Sequence, residues 1–262
     1  MPMHNYFLKE DTIMKYLQQS VLLTLLISTT SYADVIDFST DMTLRDDAYI
    51  NESHVPNGVV LTDNSNGEKG SAFTNTSFSN INSFTAEFDI KIGWGSEADG
   101  MTFGWVSDPS ANTDGGGYLG FSGLDGYAIE FDTYDNGSWD SGDSNHIALI
   151  QDTPANPLTQ TNISAFNLSD ETYRHVLVDF DSGVISVDID GTNYINDYTI
   201  AGYTPFDGYF GFTASTGGLN DYHKVANFNL TVSAVPEPST YALMLGGLGL
   251  VGFMAARRRK TA

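Results

Sequence analysis

The chain has 262 residues, no cysteine and a formal net charge of −22. The charge argues against nucleic acid as a partner, because the phosphate backbone is itself anionic. The absence of cysteine excludes disulfides, thiol chemistry and cysteine-ligated zinc, and a chain of this length without an obvious linker predicts one large domain.

Residues 1–33 are interpreted as a polar extension followed by a secretory signal peptide. Lys15 precedes the apolar run from Val21 to Ile27, and small residues follow up to Ala33. A basic residue, an apolar stretch and a small-residue site in this order are typical of an export signal. We expect cleavage after Ala33, with either Met1 or Met14 as the first residue of the precursor.

Residues 34–233 are predicted to form an all-β domain. Turn-forming clusters recur about every ten residues, and alternation within residues 84–92 places Phe84, Ala86, Phe88, Ile90 and Ile92 on one face of a strand. The same reasoning predicts strands at 176–180, 184–189, 209–213 and 226–232, with turns at 181–183 and 190–191. Many strands and few helices predict an antiparallel β-sandwich.

Two segments in the first half of this domain have loop character. Asp99 lies between Ala98 and Gly100 and, by itself, indicates a turn residue. The glycine-rich segment 114–120 is flexible enough to bring backbone amides close to a ligand. A phosphate-binding loop is not indicated there, because no Gly-Lys-Ser/Thr sequence follows.

Residues 130–150 contain an unusual density of metal-ligand types. Glu130 and Asp132 are two positions apart on a predicted strand, so their carboxylates share a face and can bind one cation. A loop through Asn136 and Asp140 then leads to His146. Carboxylate, amide and carbonyl oxygens suit calcium, whereas adding one imidazole suits a transition metal. Both ligand sets are present, and they overlap at Asp132 and Asp140.

This spacing resembles the two-metal loop of legume-type (L-type) lectins, which have a concanavalin A-like jelly-roll sandwich. The resemblance implies a transition ion, usually Mn²⁺, bound by Glu130, Asp132, Asp140 and His146. It implies Ca²⁺ bound by Asp132, Asp140, the Asn136 amide and the Tyr134 carbonyl. The loop departs from the family at Ser141, where the family has proline, and at Asp143, an extra candidate ligand. The shared ligand is therefore either Asp140 or Asp143.

The same resemblance covers residues 34–233 and implies a sugar site. In that family the residue matching Asp99 accepts hydrogen bonds from sugar hydroxyls and follows a cis peptide bond, and the residue matching Gly117 donates its N–H. Asn136 would donate its amide hydrogens, and Tyr134 would stack on the sugar ring. Residues 211–225 match the family's specificity loop, in which Gly218 and Leu219 would contact sugar. His223, in the same segment, is interpreted as structural rather than catalytic.

Residues 234–262 form a separate targeting segment. Val235-Pro-Glu-Pro238 precedes an apolar stretch at 241–256 and the basic run Arg257 to Lys260. An apolar stretch followed by basic residues indicates a short membrane helix with a cytoplasmic C-terminus. The arrangement resembles the PEP-CTERM sorting signal of Gram-negative bacteria, which implies removal of the anchor by an exosortase and display at the cell surface or in a polysaccharide matrix. A plain tail anchor is the alternative.

The function favoured by these residues is glycan binding without catalysis, in an exported or surface-displayed protein associated with exopolysaccharide or biofilm. A glycoside hydrolase is the first alternative, because Glu130-Phe-Asp132 superficially resembles part of the Glu-x-Asp-x-Glu signature of laminarinase-like enzymes. That chemistry needs a second carboxylate, but Tyr134 occupies the next position on the same face. A matrix protein without sugar specificity is the second alternative, and homo-oligomerisation stays open.

Overall fold

The computed structural model describes residues 31–51, 58–111, 113–234 and 246–248, and the regular secondary structure within this part is almost entirely β-strand. In chain order the strands are β1 Ser31–Val35, β2 Met42–Asp46, β3 Tyr49–Ile50, β4 Gly58–Thr62, β5 Lys69–Thr74, β6 Ile81–Gly93, β7 Gly100–Val106, β8 Gly126–Asp132, β9 His146–Gln151, β10 Thr159–Asn162, β11 Arg174–Asp181, β12 Val184–Ile189, β13 Thr192–Thr199, β14 Tyr209–Ser215 and β15 Tyr222–Ala234. A 3₁₀ turn spans Gly116–Tyr118. The predicted all-β class is confirmed.

The strands form two antiparallel sheets. One has eight strands in the order β13-β12-β11-β6-β15-β4-β3, with β1 also pairing with β15, and the other has seven in the order β10-β9-β8-β7-β14-β5-β2. The two sheets pack face to face, because a single hydrophobic core contains side chains from both. The predicted β-sandwich is therefore present.

The alternation predicted for residues 84–92 is observed in β6. Phe84, Phe88 and Ile92 are among the residues buried on its core face, whereas Thr85 and Glu87 lie on the opposite face. β-branched and aromatic residues on one face bury apolar area, and the polar face remains hydrated. This period-two pattern is why sequence alone identifies the strand.

Two tight hairpins join β11 to β12 and β12 to β13, at the turns predicted from sequence. Ser182 and Gly183 have φ of 53° and 86°, and Asp190 and Gly191 have φ of 51° and 77°. Two consecutive residues with positive φ are the geometry of a two-residue hairpin turn, which glycine and aspartate accept at low cost.

The core between the sheets is rich in aromatic rings. Phe88 from the eight-stranded sheet has its ring centroid 4.9 Å from that of Phe103 and 5.0 Å from that of Phe212, both in the seven-stranded sheet. Phe84 similarly contacts Trp105 and Phe210 at 5.1 and 4.9 Å. Interlocking rings of this kind hold the sheets in one relative position.

A second apolar cluster lies on the outer face of the seven-stranded sheet. Phe121 and Leu124, from the loop between β7 and β8, pack there on Val106, Ala128 and Ile150 from the strands. This face is therefore covered by its own loop rather than by solvent. The covering loop brings the glycine-rich segment over the strands that carry the predicted ligands.

Both predicted targeting segments lie mostly outside the described residues. Residues 1–30 of the predicted signal peptide are not described, and its last three residues belong to β1, so that region stays a prediction. In the tail, residues 246–248 are helical. The described part of the chain contains no helix with the length and apolar character needed to cross a membrane.

The interlocked rings of the core give the first testable prediction. Phe88→Ala removes the ring that meets two aromatic partners across the sheets, and we expect it to lower the free energy of unfolding by about 3–5 kcal/mol. Glu87→Ala, on the exposed face of the same strand, should change it by less than about 1 kcal/mol. Chemical denaturation of both variants measures the difference, and equal stabilities would contradict the proposed core.

Candidate functional site

The outer face of the seven-stranded sheet carries a compact acidic cluster where β8 meets β9. Asp132 lies opposite His146 in the antiparallel register, and Glu130 lies opposite Ala148. Glu130, Asp132 and His146 each offer a ligand atom, these atoms lie within 4.8 Å of one another, and all three residues are buried. The predicted pair on β8 thus shares a face with the predicted histidine.

The ring of His146 is oriented by the backbone. Its Nδ1 lies 3.0 Å from the carbonyl oxygen of Asp143, which can only accept a hydrogen bond. Nδ1 therefore carries the proton, and Nε2 retains the lone pair. A histidine fixed in this way is prepared to bind a cation through Nε2.

The loop between β8 and β9 places Asp140, rather than Asp143, with the buried cluster. Asp140 is buried, and its carboxylate accepts a hydrogen bond from the backbone N–H of Asn136. The Gln160 side chain on β10 fixes Asp140 by donating to its carbonyl oxygen at 2.8 Å. The Asp143 carboxylate instead accepts from the N–H of Asn145 at 2.8 Å. Of these two aspartates, Asp140 is the buried one, and its charge acts on Glu130 and Asp132.

Burial changes the proton affinity of every member of the cluster. Desolvation, followed by the neighbouring carboxylates, raises the pKa of Glu130 and Asp132 above the usual range, and desolvation raises the pKa of Asp140 to about 6. Desolvation also lowers the pKa of His146, which favours its neutral form. None of the ion pairs in the described part of the chain involves these carboxylates.

Several oxygens of the cluster are buried without a hydrogen-bond partner in the described structure. They are Glu130 Oε1, Asp132 Oδ2 and Asn136 Oδ1. Unsatisfied buried oxygens are costly, so they normally have a partner. Carboxylate and amide oxygens beside one imidazole fit a divalent cation, and this buried acidic and histidine group could hold one.

Asp99 lies beside this cluster at the start of β7. The Ala98–Asp99 peptide bond is cis, as expected for this position. The N–H of Asp99 donates to Ser215 O at 3.2 Å, and the N–H of Thr133 donates to Asp99 O at 3.0 Å, so the backbone is fixed on both sides. Asp99 Oδ2 is buried without a partner, and desolvation raises the pKa of the carboxyl to about 6. Asp99 is therefore buried, unlike a typical exposed turn residue.

The glycine-rich loop is held over the sheet by hydroxyls on β14. Ser215 Oγ donates to Gly116 O at 2.7 Å, and Thr213 Oγ1 donates to Leu119 O at 2.7 Å. The loop consequently passes so close to Asn136 that a β-carbon added at Gly117 would lie 2.5 Å from its Nδ2. Only glycine fits there without displacing the Asn136 amide.

The remaining predicted sugar contacts lie in a rim at the surface. The loop after β14 approaches Asp99, because a β-carbon at Gly217 would lie 2.9 Å from Asp99 Oδ2. Gly218 has open space around it, and Leu219 is 41% exposed. Tyr134 is 37% exposed, and its N–H donates to Asp132 Oδ1 at 2.7 Å. The structure thus groups Asp99, Gly117 and Asn136 in adjoining loops and leaves Tyr134, Gly218 and Leu219 accessible.

One contributor to this rim was missed by sequence reasoning. The turn between β4 and β5 supports the loop after β14, since the Asn66 side chain donates to Gly218 O at 2.8 Å and the N–H of Gly67 donates to Gly217 O at 3.1 Å. The sequence 63–67 indicates a turn. Nothing in it indicates which distant loop the turn would contact.

His223 lies away from this cluster, on β15 in the eight-stranded sheet. It is fully buried, and its Nδ1 lies 2.7 Å from Thr62 Oγ1. Burial lowers the pKa of His223 to about 3, so the ring is neutral. This environment fits the structural role expected for it.

Comparisons with known proteins identify the family of the domain. The family model of the legume lectin domain matches residues 31–243, and that of the PEP-CTERM protein-sorting motif matches residues 234–260. Favin from Vicia faba is 30% identical over 180 residues, which make up 61% of this chain and 74% of favin. The lectin of Lens culinaris subsp. tomentosus is 27% identical over 170 residues, or 57% of this chain and 60% of that lectin.

Two solved structures illustrate the similarity of this chain to known folds. Basic winged bean lectin with Tn-antigen has a TM-score of 0.66 at 20% identity, over 78% of this chain and 99% of that one. The VIP36 exoplasmic/lumenal domain in its Ca²⁺/Man-bound form has a TM-score of 0.63 at 17% identity, over 79% of this chain and 91% of that one. The predicted concanavalin A-like sandwich is confirmed at the level of the fold.

The buried carboxylates predict an unusual pH dependence for metal-free protein. The raised pKa of Glu130 and Asp132 means that the folded state binds more protons than the unfolded state, so the free energy of unfolding falls as pH rises. Above about pH 6.5 the neutral His146 no longer offsets this effect. Between pH 6.5 and 8.5 in EDTA, we expect the melting temperature to fall by at least about 5 °C.

Circular dichroism melting curves measure this shift, and a matched pair of variants isolates its cause. Glu130→Gln should flatten the pH dependence, whereas Glu87→Gln, which removes the same charge at an exposed position on the other sheet, should leave it unchanged. Parallel curves for all three proteins would show that the buried cluster is not responsible.

Proposed function

Because the chain belongs to the legume lectin domain family, we propose that it is an exported carbohydrate-binding protein whose sugar site is ordered by metal ions. It binds glycan and does not cleave it. The observation that carries this proposal is the set of unpartnered buried oxygens, which continues from the acidic cluster to Asp99 and Asn136 at the mouth of the site.

The proposed ligand sets follow the geometry of the cluster. Glu130, Asp132, Asp140 and His146 hold a transition ion such as Mn²⁺, with His146 contributing Nε2. Asp132, Asp140, the Asn136 Oδ1 and the Tyr134 carbonyl hold Ca²⁺. The burial of Asp140 and its bond to the Asn136 N–H support it, rather than Asp143, as the shared ligand. Bound cations supply the positive charge that the buried carboxylates lack.

The protein's own residues then present donors and acceptors to a hexose. Asn136 Oδ1 would be a ligand of Ca²⁺, which would leave Nδ2 to donate to a sugar hydroxyl. Asp99 Oδ2 accepts from one or two hydroxyls, and the Gly117 N–H donates to another. The exposed ring of Tyr134 stacks on the apolar face of the sugar, and Gly218 and Leu219 form the rim that selects among sugars.

Two solved structures with a similar fold support the proposal of a sugar site ordered by metal ions. The VIP36 domain is solved in a Ca²⁺/Man-bound form, and winged bean lectin is solved with Tn-antigen. A divalent ion and a hexose on the same fold are what the present cluster and its open rim are suited to hold. Since a few hydrogen bonds and one stacked ring each contribute only about 1 kcal/mol, single-site affinity should be weak and avidity important.

The sorting motif suggests where the protein acts. Its tail would be recognised by an exosortase-type enzyme in a Gram-negative bacterium, after transient anchoring in the inner membrane. The protein would then be displayed at the cell surface or released into an exopolysaccharide or biofilm matrix. Repeated copies on a surface provide the avidity that weak sites require.

Hydrolysis of glycan is the less favoured function. Glu130 is almost completely buried, with a pKa raised by desolvation, and it adjoins two further carboxylates. A glycosidase needs a second carboxyl group across the scissile bond, whereas β8 ends at Asp132 and the following Tyr134 and Asp135 are exposed in the loop. A carboxylate engaged by a metal ion is also a poor nucleophile.

The direct test of the proposed function is glycan binding with and without metal. On a glycan array the protein should bind in Ca²⁺ and Mn²⁺, lose binding in EDTA, and release no cleaved sugar. Asn136→Ala and Asp99→Ala should each weaken binding at least tenfold, while Asn229→Ala, on the other sheet, should not. Cleavage products would indicate an enzyme, and retained binding in EDTA would reject the metal-ordered site.

Gly117 provides a more selective test of the geometry. Gly117→Ala places a methyl group against the Asn136 amide and should abolish sugar binding with little loss of stability, because a core contact is not removed. Gly115→Ala is the matched control, since its added carbon would meet its nearest neighbour at an ordinary 3.9 Å. Isothermal titration calorimetry, with a monosaccharide that the unchanged protein binds, measures the affinity of both variants. Equal affinities would contradict the predicted contact between Gly117 and the sugar.

A further inference from the structure

The outer face of the eight-stranded sheet carries an aromatic and cationic cleft that the proposed sugar site does not use. Lys224 on β15 lies opposite Lys91 on β6 and Val60 on β4, and all three point away from the core. Trp94 follows β6 directly and Tyr222 begins β15. We call this group the Trp94 cleft.

The cleft encloses a cavity of about 310 Å³, lined by Asn51, Val60, Trp94, Tyr222 and Lys224. This volume lies at the lower end of those that bind small molecules, and it is sufficient for one sugar ring. Val60 and Ala226 form a small apolar floor against which Tyr222 packs. The cavity therefore combines an apolar surface with a cationic wall.

The two lysines lack an anionic partner in the described part of the chain. Lys224 is only 2% exposed, and its Nζ lies 4.0 Å from the Trp94 ring centroid and 4.7 Å from that of Tyr222. Lys91 Nζ lies 4.3 Å from the Trp94 centroid. No carboxylate of the described residues forms an ion pair with either ammonium group. Within the described residues, the two ammonium groups therefore form a local cluster of positive charge in a protein of net charge −22.

The nearby carboxylates are engaged elsewhere. Asp63 is the acidic group that acts on Lys224, but its Oδ1 accepts a hydrogen bond from the Tyr49 hydroxyl at 2.6 Å. Asp221, two residues before His223, accepts from the N–H of Gly95 at 2.8 Å and from Ser169 Oγ at 2.6 Å. Desolvation, followed by the charge of Lys91, lowers the pKa of Lys224, and the charge of Asp63 opposes this effect only in part.

Trp94 is presented to solvent by a locally constrained backbone. Its φ is 69°, an uncommon left-handed value for a bulky residue, and its side chain is 43% exposed. Asn64 donates to the Trp94 carbonyl, and Asp221 fixes the next residue. Strained residues held by their surroundings are concentrated at functional sites.

We propose that the Trp94 cleft is a second carbohydrate site, which binds a carboxylate-bearing sugar ring such as a uronate residue of an acidic polysaccharide. The sugar ring packs against the exposed Trp94 side chain, and its carboxylate contacts the Lys91 and Lys224 ammonium groups. A neutral sugar would bring no ion-pair partner to the two lysines, whereas a simple anion would leave the aromatic surface exposed. An acidic sugar offers a carboxylate to the lysines and an apolar ring face to the aromatic surface.

Recognition has to be of short range. The net charge of the protein repels anions at a distance, but at about 0.15 M ionic strength this repulsion is screened beyond roughly 8 Å. Within this distance, attraction between the sugar carboxylate and the two ammonium groups outweighs the repulsion from the rest of the protein. The cleft lies on the opposite sheet from the acidic cluster and contains no metal-ligand group, so it neither depends on the proposed function nor requires Ca²⁺.

The test is isothermal titration of the full chain with galacturonate in 0.15 M NaCl and EDTA, alongside galactose and acetate. We expect millimolar binding of galacturonate and at least tenfold weaker binding of galactose and acetate. Trp94→Ala and Lys224→Met should each weaken galacturonate binding at least tenfold. Lys224→Arg should retain part of it, and Arg45→Met, which removes the same charge at an exposed position on the other sheet, should have no effect.

Several results would overturn the proposal. Equal binding of acetate would mark adventitious anion binding only, and loss of galacturonate binding in EDTA would assign it to the metal-dependent site. A change in oligomeric mass in Trp94→Ala would identify the cleft as a subunit interface. If Lys224→Met does not fold, the galacturonate affinity of Trp94→Ala, which changes an exposed side chain, tests the proposal by itself. Neutral-sugar binding in Ca²⁺ and Mn²⁺ should persist in both variants, so failure here is distinguishable from failure of the proposed function.

Discussion

The structure around the site depends on the burial of carboxylate charge without an internal cation. Glu130, Asp132 and Asp140 lie together beneath two loops, and neither lysine nor arginine pairs with them in the described residues. Burying such charges costs several kcal/mol each unless they are neutralised. Protonation or a divalent ion can supply the neutralisation, and of the two only an ion could also be bound by the unpartnered amide oxygen of Asn136. The geometry of the loop is thus linked to how the charge of the buried carboxylates is neutralised.

The two sheets contribute differently to holding the buried carboxylates and the loops above them. The eight-stranded sheet and the core-facing side of its partner supply rigidity through interlocked aromatic rings. The outer face of the seven-stranded sheet supplies a platform on which Thr213 and Ser215 hold the glycine-rich loop. A precise sugar site can then be built from loops, because each loop is fixed to a strand by hydrogen bonds rather than by its own propensity.

Much of the fold could be predicted from sequence, since alternation at Phe84 to Ile92 and the Asp190-Gly191 turn are local signals. The shared face of Glu130 and Asp132 was predictable for the same reason. The contact between Gly117 and Asn136, the choice of Asp140 over Asp143, and the proximity of Trp94 to Lys224 were not. These depend on how distant segments meet, and neither composition nor periodicity carries that information.

The pairing of β1 with β15 has a consequence for the ends of the domain. Ser31 lies opposite Ser233 in an antiparallel register, so their Cα atoms are separated by only about 5 Å. A linker of a few residues could therefore close the sandwich into a ring, and new termini could be opened at an exposed turn such as Ser182-Gly183. The strand order would survive such a circular permutation, because no strand would have to change its neighbours.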